Sequence, residues 1–371
     1  MLIVTANDFL AYQPSVLNLY DFLKPYFDVS IVSFEPEFIG RQKVTGRDIV
    51  YLKIPFLLKW LVQKFDFALQ LAVKLLNRVF TSLSHEYLYY HQLQYLYLER
   101  YLRNIKADEL LAVDIPALYV TQRVFGKCHF FSLELYPGGP FREKINVNEI
   151  LSVIIQNRER YDWLFPGIRL PVFYIQNAPV FREEMIRSYP RKGFIWAGTI
   201  VRQFAVFDCI EFIRNYPSYQ LVLKGGAERK TLQHINDHYR DLLQAGRIVV
   251  DRSYLAPGDF IDFLAHFKIG FCFYSWDTIR KSINYQTAPS GKLFMYMAAG
   301  VPVIACNIPG FRFIREFRAG VLIDDYRPET ILKAAQQIEG DYDNFSRACY
   351  EVARHFSFEK NVKPFLDFLE I

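Results

Sequence analysis

Ser290, Gly291 and Lys292 stand side by side, just ahead of Leu293, Phe294, Met297 and Ala298, which recur at helical spacing. A helix that opens there presents free backbone N–H groups, a residue without a side chain that lets a ligand approach, and one ammonium. That combination suits a phosphate. Thr287, Pro289 and Ser290 supply start signals, a hydroxyl cap and a proline whose φ is already near helical. Gly300 supplies the stop, and 301–305 reads as a short buried strand opened by Pro302. These are common parts, so an ordinary αβ unit with a glycine cap accounts for the same residues.

The elements that must position these residues alternate between strand and helix. Apolar runs at 2–5, 29–34, 48–54, 110–114, 129–135, 151–156 and 172–176 read as strands, with helical patterns at 15–26 and 116–125. The rhythm restarts with strands at 194–196, 220–224, 248–250 and 269–274 and helices at 207–215, 230–246, 257–266, 328–338 and 343–355. Strands separated by helical crossovers imply parallel sheets. A chain of 371 residues exceeds one ordinary core and implies two domains. No Gly-x-Gly-x-x-Gly follows a strand, and no Walker motif or Gly-x-Ser-x-Gly elbow is found, which argues against a nicotinamide dinucleotide site, a P-loop and a serine hydrolase.

The segment from Pro289 to Ala305 resembles the donor-binding segment of GT-B fold glycosyltransferases, the large bacterial family four in particular. Their pattern runs roughly Pro-Ser-Lys-Leu-Phe-Glu-Tyr-Met-Ala-Ala-Gly-X-Pro-Val-Ile-Ala. This chain inserts Gly291 and places Met295 where the family usually has a glutamate that holds the donor's ribose hydroxyls. The resemblance implies two doubly wound, Rossmann-like α/β domains facing a central cleft: 1–178 for the acceptor, 179–356 for the nucleotide-sugar donor, and 357–371 crossing back onto the first. Asn177-Ala-Pro179 resembles the family's junction, with a hinge near 177–191.

Further site residues follow from the same resemblance. Gly198, Thr199 and Arg202 resemble the glycine turn and arginine near the donor phosphates, and Lys224 and Tyr254 are expected on the donor side with Ser290, Gly291, Lys292 and Met295. Asp114 and Glu134 fall at the ends of successive strands, where ligand-facing groups of open parallel sheets lie. Either could take the acceptor's proton in an inverting reaction. In a retaining one the donor's own phosphate would take it, and Lys292 would matter more. Arg160 is a candidate acceptor contact, or else a charge on a helix surface.

The composition is 51% hydrophobic and 17% aromatic, with a net charge of +5, too modest to argue for nucleic acid. The five cysteines are odd in number and lack a CxxC pair, which favours buried thiols over disulfides or zinc. The first residues read as a strand and not a signal peptide, and no run is apolar enough for an ordinary transmembrane helix. Within 56–82 a narrow stripe of Lys59, Gln63, Asp66, Gln70, Lys74, Asn77 and Thr81 interrupts an otherwise apolar face, and 86–105 adds Tyr, Leu and Arg. Such a pair fits a membrane interface, although a hairpin buried against the sheet or a dimer contact has the same pattern.

His234 and His238 lack a third ligand, and Asp341-Tyr-Asp343 opens a helix, so neither implies a metal. The expected activity is metal-independent transfer of a sugar from a UDP- or GDP-linked donor to a saccharide or polyisoprenoid-linked acceptor. It would take place at the cytoplasmic face of the plasma membrane, in surface polysaccharide synthesis. A non-catalytic GT-B subunit, motivated by Met295, and a nucleotide-sugar epimerase are the alternatives.

Overall fold

The structure is a computed structural model that describes residues 1–36, 43–57, 60, 90–136, 141–186 and 189–370. The chain divides into two compact units, Met1–Tyr174 with Val362–Ile371, and Ile175–Asn361.

In the first unit the strands are β1 (Leu2–Thr5), β2 (Ser30–Phe34), β3 (Ile49–Leu52), β4 (Leu110–Val113), β5 (Cys128–Phe131), β6 (Ile150–Ile155) and β7 (Val172–Tyr174). They form a parallel sheet of order β3-β2-β1-β4-β5-β6-β7. Helices α1 (Pro14–Leu23), α2 (Tyr90–Leu102), α3 (Asp114–Phe125) and α4 (Arg158–Leu164) accompany it. Every residue of β1, β4 and β5 is buried, which is why these strands read as unbroken apolar runs instead of alternating ones.

The second unit repeats the plan with β8 (Phe194–Ala197), β9 (Leu221–Lys224), β10 (Ile248–Asp251), β11 (Ile269–Cys272), β12 (Val303–Cys306) and β13 (Gly320–Ile323), in the parallel order β10-β9-β8-β11-β12-β13. Its helices are α5 (Val206–Asn215), α6 (Arg229–His238), α7 (Arg240–Gln244), α8 (Pro257–Leu264), α9 (Trp276–Lys281), α10 (Ile283–Thr287), α11 (Gly291–Ala298), α12 (Arg312–Phe317), α13 (Pro328–Gly340) and α14 (Tyr342–Phe356). A last helix, α15 (Phe358–Phe368), starts in the second unit and ends in the first. Phe194, Trp196 and Phe271 belong to one apolar cluster, whereas Ile195, Ala197 and Cys272 belong to another. Alternate residues of β8 thus feed two cores, as a sheet covered on both faces requires.

In each sheet the strand order reverses once, between β1 and β4 and between β8 and β11. Crevices at such reversals, outside the carboxyl ends of the strands, are where doubly wound sheets bind ligands.

Several elements differ from expectation. Thr287 ends α10 and donates its hydroxyl to the Ile283 carbonyl at 2.7 Å, so it is not a cap of α11. The strand after Gly300 begins at Val303, not Val301. The pattern at 230–246 breaks into α6 and α7 at Tyr239, whose φ of −129° leaves the helical region. Asp341 precedes α14 without a side-chain cap and accepts from the Asn344 amide instead.

Of 56–82, only Phe56, Leu57 and Trp60 lie among the described residues, and all three are exposed. The partner helix expected at 86–105 is described as α2 and serves the core. Its Leu98 and Leu102 are buried, and its buried Glu99 pairs with Arg103 at 2.6 Å and Arg123 at 3.1 Å. All five cysteines are buried and free.

Candidate functional site

In the first unit, β4 ends at the sheet reversal and the chain turns directly into α3 through Asp114. That residue adopts φ +65°, the left-handed region that an aspartate tolerates better than most side chains. Asp114 is buried, and its Oδ1 accepts the backbone N–H groups of Leu133 and Glu134, both at 2.8 Å. Its Oδ2 has no hydrogen-bond partner among the described residues. Burial pushes the carboxyl up to about 7, against the two N–H groups and the Arg160 guanidinium, which favour the charged form.

Arg160 stands in α4, whose N-cap Asn157 accepts from the Arg160 N–H. Its side chain is wholly buried, which excludes the helix-surface reading, and Nη2 donates to the Leu133 carbonyl at 2.8 Å. Burial lowers its guanidinium to about 10 while Glu134 and Asp114 oppose that. The Gln156 amide donates to the same carbonyl. Leu133 is therefore gripped at its N–H by Asp114 and at its C=O by Arg160 and Gln156, which fixes the turn that carries Glu134.

Solvent reaches Glu134, yet protein crowds its carboxyl, and desolvation raises its pKa while Arg160 pulls it down. Of the two carboxylates the expectation named, Glu134 faces outward and Asp114 holds the backbone beneath it.

In the second unit, β8 runs into Gly198 and Thr199, both exposed, and β9 into Gly225. Gly198 and Gly225 have φ of +125° and +140°, and a Cβ on Gly225 would sit 2.2 Å from the Gly198 carbonyl oxygen. Only glycine allows these two strand ends to touch. Helix α11 enters beside them. Its N-cap Ser290 makes no side-chain cap, and its hydroxyl lies beside the Cys272 and Tyr274 side chains, leaving the first N–H groups of the helix uncapped by a side chain. Gly291 is small for a local reason as well: a Cβ there would meet Asn177 Nδ2 at 2.8 Å.

Lys292 passes Gly198, where an added Cβ would touch its Cδ at 3.8 Å, and sets its ammonium 3.9 Å from the Trp196 ring centroid. Among the described residues it makes no ion pair. Lys224 is different. Its buried ammonium bonds Asp251 Oδ2 at 2.7 Å and Ser253 Oγ at 2.6 Å, so a carboxylate already neutralises its charge. Arg202 is exposed, on the wall of an open recess of about 600 Å³ that also carries Asp208, Glu228 and Asp277. Tyr254 is exposed at 73%, and Met295 is half-buried against the core.

The structure thus brings Gly198, Ser290, Gly291 and Lys292 to one strand reversal and Asp114, Glu134 and Arg160 to the other. Sequence reasoning missed Trp196, Gly225 and Leu133. Trp196 looked like any strand aromatic, whereas the Gly225-Gly226 pair at the end of β9 was a signal that could have been used. Among the described residues no group of His, Cys, Asp or Glu is arranged to hold a metal ion, and His234 and His238 merely stack at 4.0 Å.

No protein-family model matches the chain, and no curated protein does. Solved structures do. A UDP-forming α,α-trehalose-phosphate synthase from Burkholderia vietnamiensis is 11% identical, with 100% of this chain and 99% of that chain covered at a TM-score of 0.64. HepE of Anabaena, solved with UDP and glucose, is 12% identical, with 100% and 98% covered at 0.66. The pneumococcal O-GlcNAc transferase GtfA, solved with UDP and GlcNAc, is 11% identical, with 74% and 59% covered at 0.53.

The fold is GT-B. At such identities the likeness is one of fold.

Proposed function

We propose that the chain is a glycosyltransferase that moves a sugar from a nucleoside-diphosphate donor to a hydroxyl of a saccharide or polyisoprenoid-linked acceptor. One observation carries this reading: the ammonium of Lys292, which makes no ion pair among the described residues, at the start of α11 beside the touching turns at Gly198 and Gly225. In such a transfer the bond from the anomeric carbon to the diphosphate breaks as the acceptor oxygen bonds that carbon. The departing diphosphate gathers negative charge, and a fixed cation with backbone N–H groups stabilises it without a metal. Lys292 and the N–H groups of Gly291 and Lys292 take that role.

Lys224, satisfied by Asp251, belongs to the scaffold. Arg202, sharing its recess with three carboxylates, contributes less. Of the proteins with similar folds, one is UDP-forming and two were solved with UDP bound, which makes uridine the base to try first.

On the acceptor side Glu134 takes the hydroxyl proton. Its raised pKa makes it a better base than an ordinary surface carboxylate, and the Asp114–Leu133–Arg160 grip holds it still. Glu134→Gln is expected to leave UDP affinity within about twofold while sugar transfer from UDP-sugars to a membrane-lipid extract falls by about two to four decades. Unchanged transfer would remove Glu134 from the chemistry and favour a retaining reaction, in which the donor phosphate accepts the proton.

The family-four likeness, a cytoplasmic site at the inner membrane face and a part in surface polysaccharide synthesis belong to the same proposal. They rest on the motif at 289–305 and on the apolar stretch at 56–82. A non-catalytic subunit is the second reading. Met295 favours it, because a thioether packed against the core cannot accept a ribose hydroxyl as a carboxylate would.

A further inference from the structure

Lys292 and Lys224 serve the same sheet edge in opposite ways. The Lys224 ammonium is buried against a carboxylate. The Lys292 ammonium instead lies 3.9 Å from the Trp196 ring centroid, 5.6 Å from that of Phe204 and 5.8 Å from that of Tyr274. Three aromatic rings within reach make a box around one cation, and the faces of such rings attract it through their quadrupoles. The box is itself braced. Phe204 and Tyr274 meet edge-on at 5.5 Å, and both touch Tyr285, at 6.1 and 4.9 Å. The Ser275 N–H donates to the Gln203 carbonyl at 2.9 Å, tying the turn that carries Phe204 to the end of β11.

Trp196 is wholly buried, and its indole N–H finds no partner among the described residues. An orphaned buried donor is a loss that phenylalanine would avoid. A position that needed only apolar bulk would not select tryptophan, whereas one that needs the strongest cation-binding ring face would.

We infer that Trp196, with Phe204 and Tyr274, is the positioning device of the diphosphate site: an aromatic box that fixes the Lys292 ammonium without neutralising it. The physical distinction is from a carboxylate. An aspartate in the place of the box would hold the lysine equally well, but an incoming diphosphate would have to compete with it. A ring face orients the ammonium and leaves its full charge to the ligand. The box therefore discriminates between a nucleoside diphosphate and the bare nucleoside. This inference rests on the donor reading above.

The test is calorimetric titration of the parent, Lys292→Ala, Trp196→Leu, Trp196→Phe and Phe204→Leu with UDP, inorganic pyrophosphate and uridine. Removing the best ring face is expected to weaken UDP and pyrophosphate by about five- to thirtyfold in Trp196→Leu and to leave uridine unchanged. Trp196→Phe keeps a ring face and is expected to stay within about threefold of the parent. Trp196 lies in the core, so Phe204→Leu, on a partly exposed turn, probes the same box from outside the core, with an expected loss of about two- to fivefold for UDP and pyrophosphate and none for uridine. UDP binding that falls in Lys292→Ala but equals the parent in Phe204→Leu and in whichever Trp196 variants fold would overturn the box and leave the donor reading standing. A parent that binds neither UDP nor pyrophosphate overturns both.

Discussion

Asp114 offers a test of the acceptor-side architecture that needs no substrate. Its carboxyl is displaced from an ordinary 3.8 up to about 7 by burial, roughly three pH units or about 4 kcal/mol between folded and unfolded states. Between those two values the unfolded chain has lost the proton and the folded one keeps it. Stability attributable to this group is therefore intact below about pH 4, declines as pH rises, and is fully lost above about pH 7.

Asp114→Asn cannot ionise, and its amide oxygen can still accept from Leu133 and Glu134. It places an amide where Oδ2 has no partner, at a cost of about 1–3 kcal/mol. The net expectation is a variant somewhat less stable than the parent near pH 4 and more stable by about 1–3 kcal/mol near pH 8. Urea unfolding at both pH values, with hydrogen exchange of the β4 amides reporting the unit that carries Asp114, measures the difference. A gap between parent and variant that does not change with pH would mean that Asp114 is already charged in the fold, sustained by Arg160. The description of a neutral anchor beneath Glu134 would then be wrong.

Two further expectations concern the ends of the chain's two tasks. Gly225→Ala would drive a Cβ to within 2.2 Å of the Gly198 carbonyl at a φ of +140°, so the glycine turns should separate, with a stability loss of about 1–3 kcal/mol and weakened UDP binding; a thermal melt and a titration indistinguishable from the parent would refute the contact. Neutralising Lys59, Lys64, Lys74 and Arg78 together should release the chain from anionic liposomes, since each basic residue at such a surface contributes about 1 kcal/mol, and equal retention in a flotation assay would end the membrane proposal.

The rhythm of the sheets was legible because buried parallel strands are short unbroken apolar runs, and the helix of the donor segment because Pro289 and Gly300 punctuate it. Short polar pieces were not. Helices α9 and α10 carry Asp277, Arg280, Lys281 and Asn284, which blur any apolar period. Long-range pairings were also invisible. That Lys224 would meet Asp251 depends on the register of β9 against β10, and that Lys292 would meet Trp196 depends on β8 and α11 converging at one strand reversal. The left-handed turn at Asp114 leaves no mark either, because aspartate is an ordinary residue at the end of a strand. Arg160 read as an acceptor contact or a surface charge because its spacing from β6 says nothing about depth. Its burial follows from Leu133, whose carbonyl it satisfies.

The central claim is that this chain grips a nucleoside diphosphate through Lys292. Titrating the parent and Lys292→Ala with UDP and with uridine tests it most directly. Deleting a charged donor to phosphate should weaken UDP by about one to two decades and leave uridine as it was, since only the diphosphate offers the ammonium a partner. Equal losses for both ligands, or a parent that binds no UDP at millimolar concentration, would contradict the claim and favour a fold kept without its chemistry.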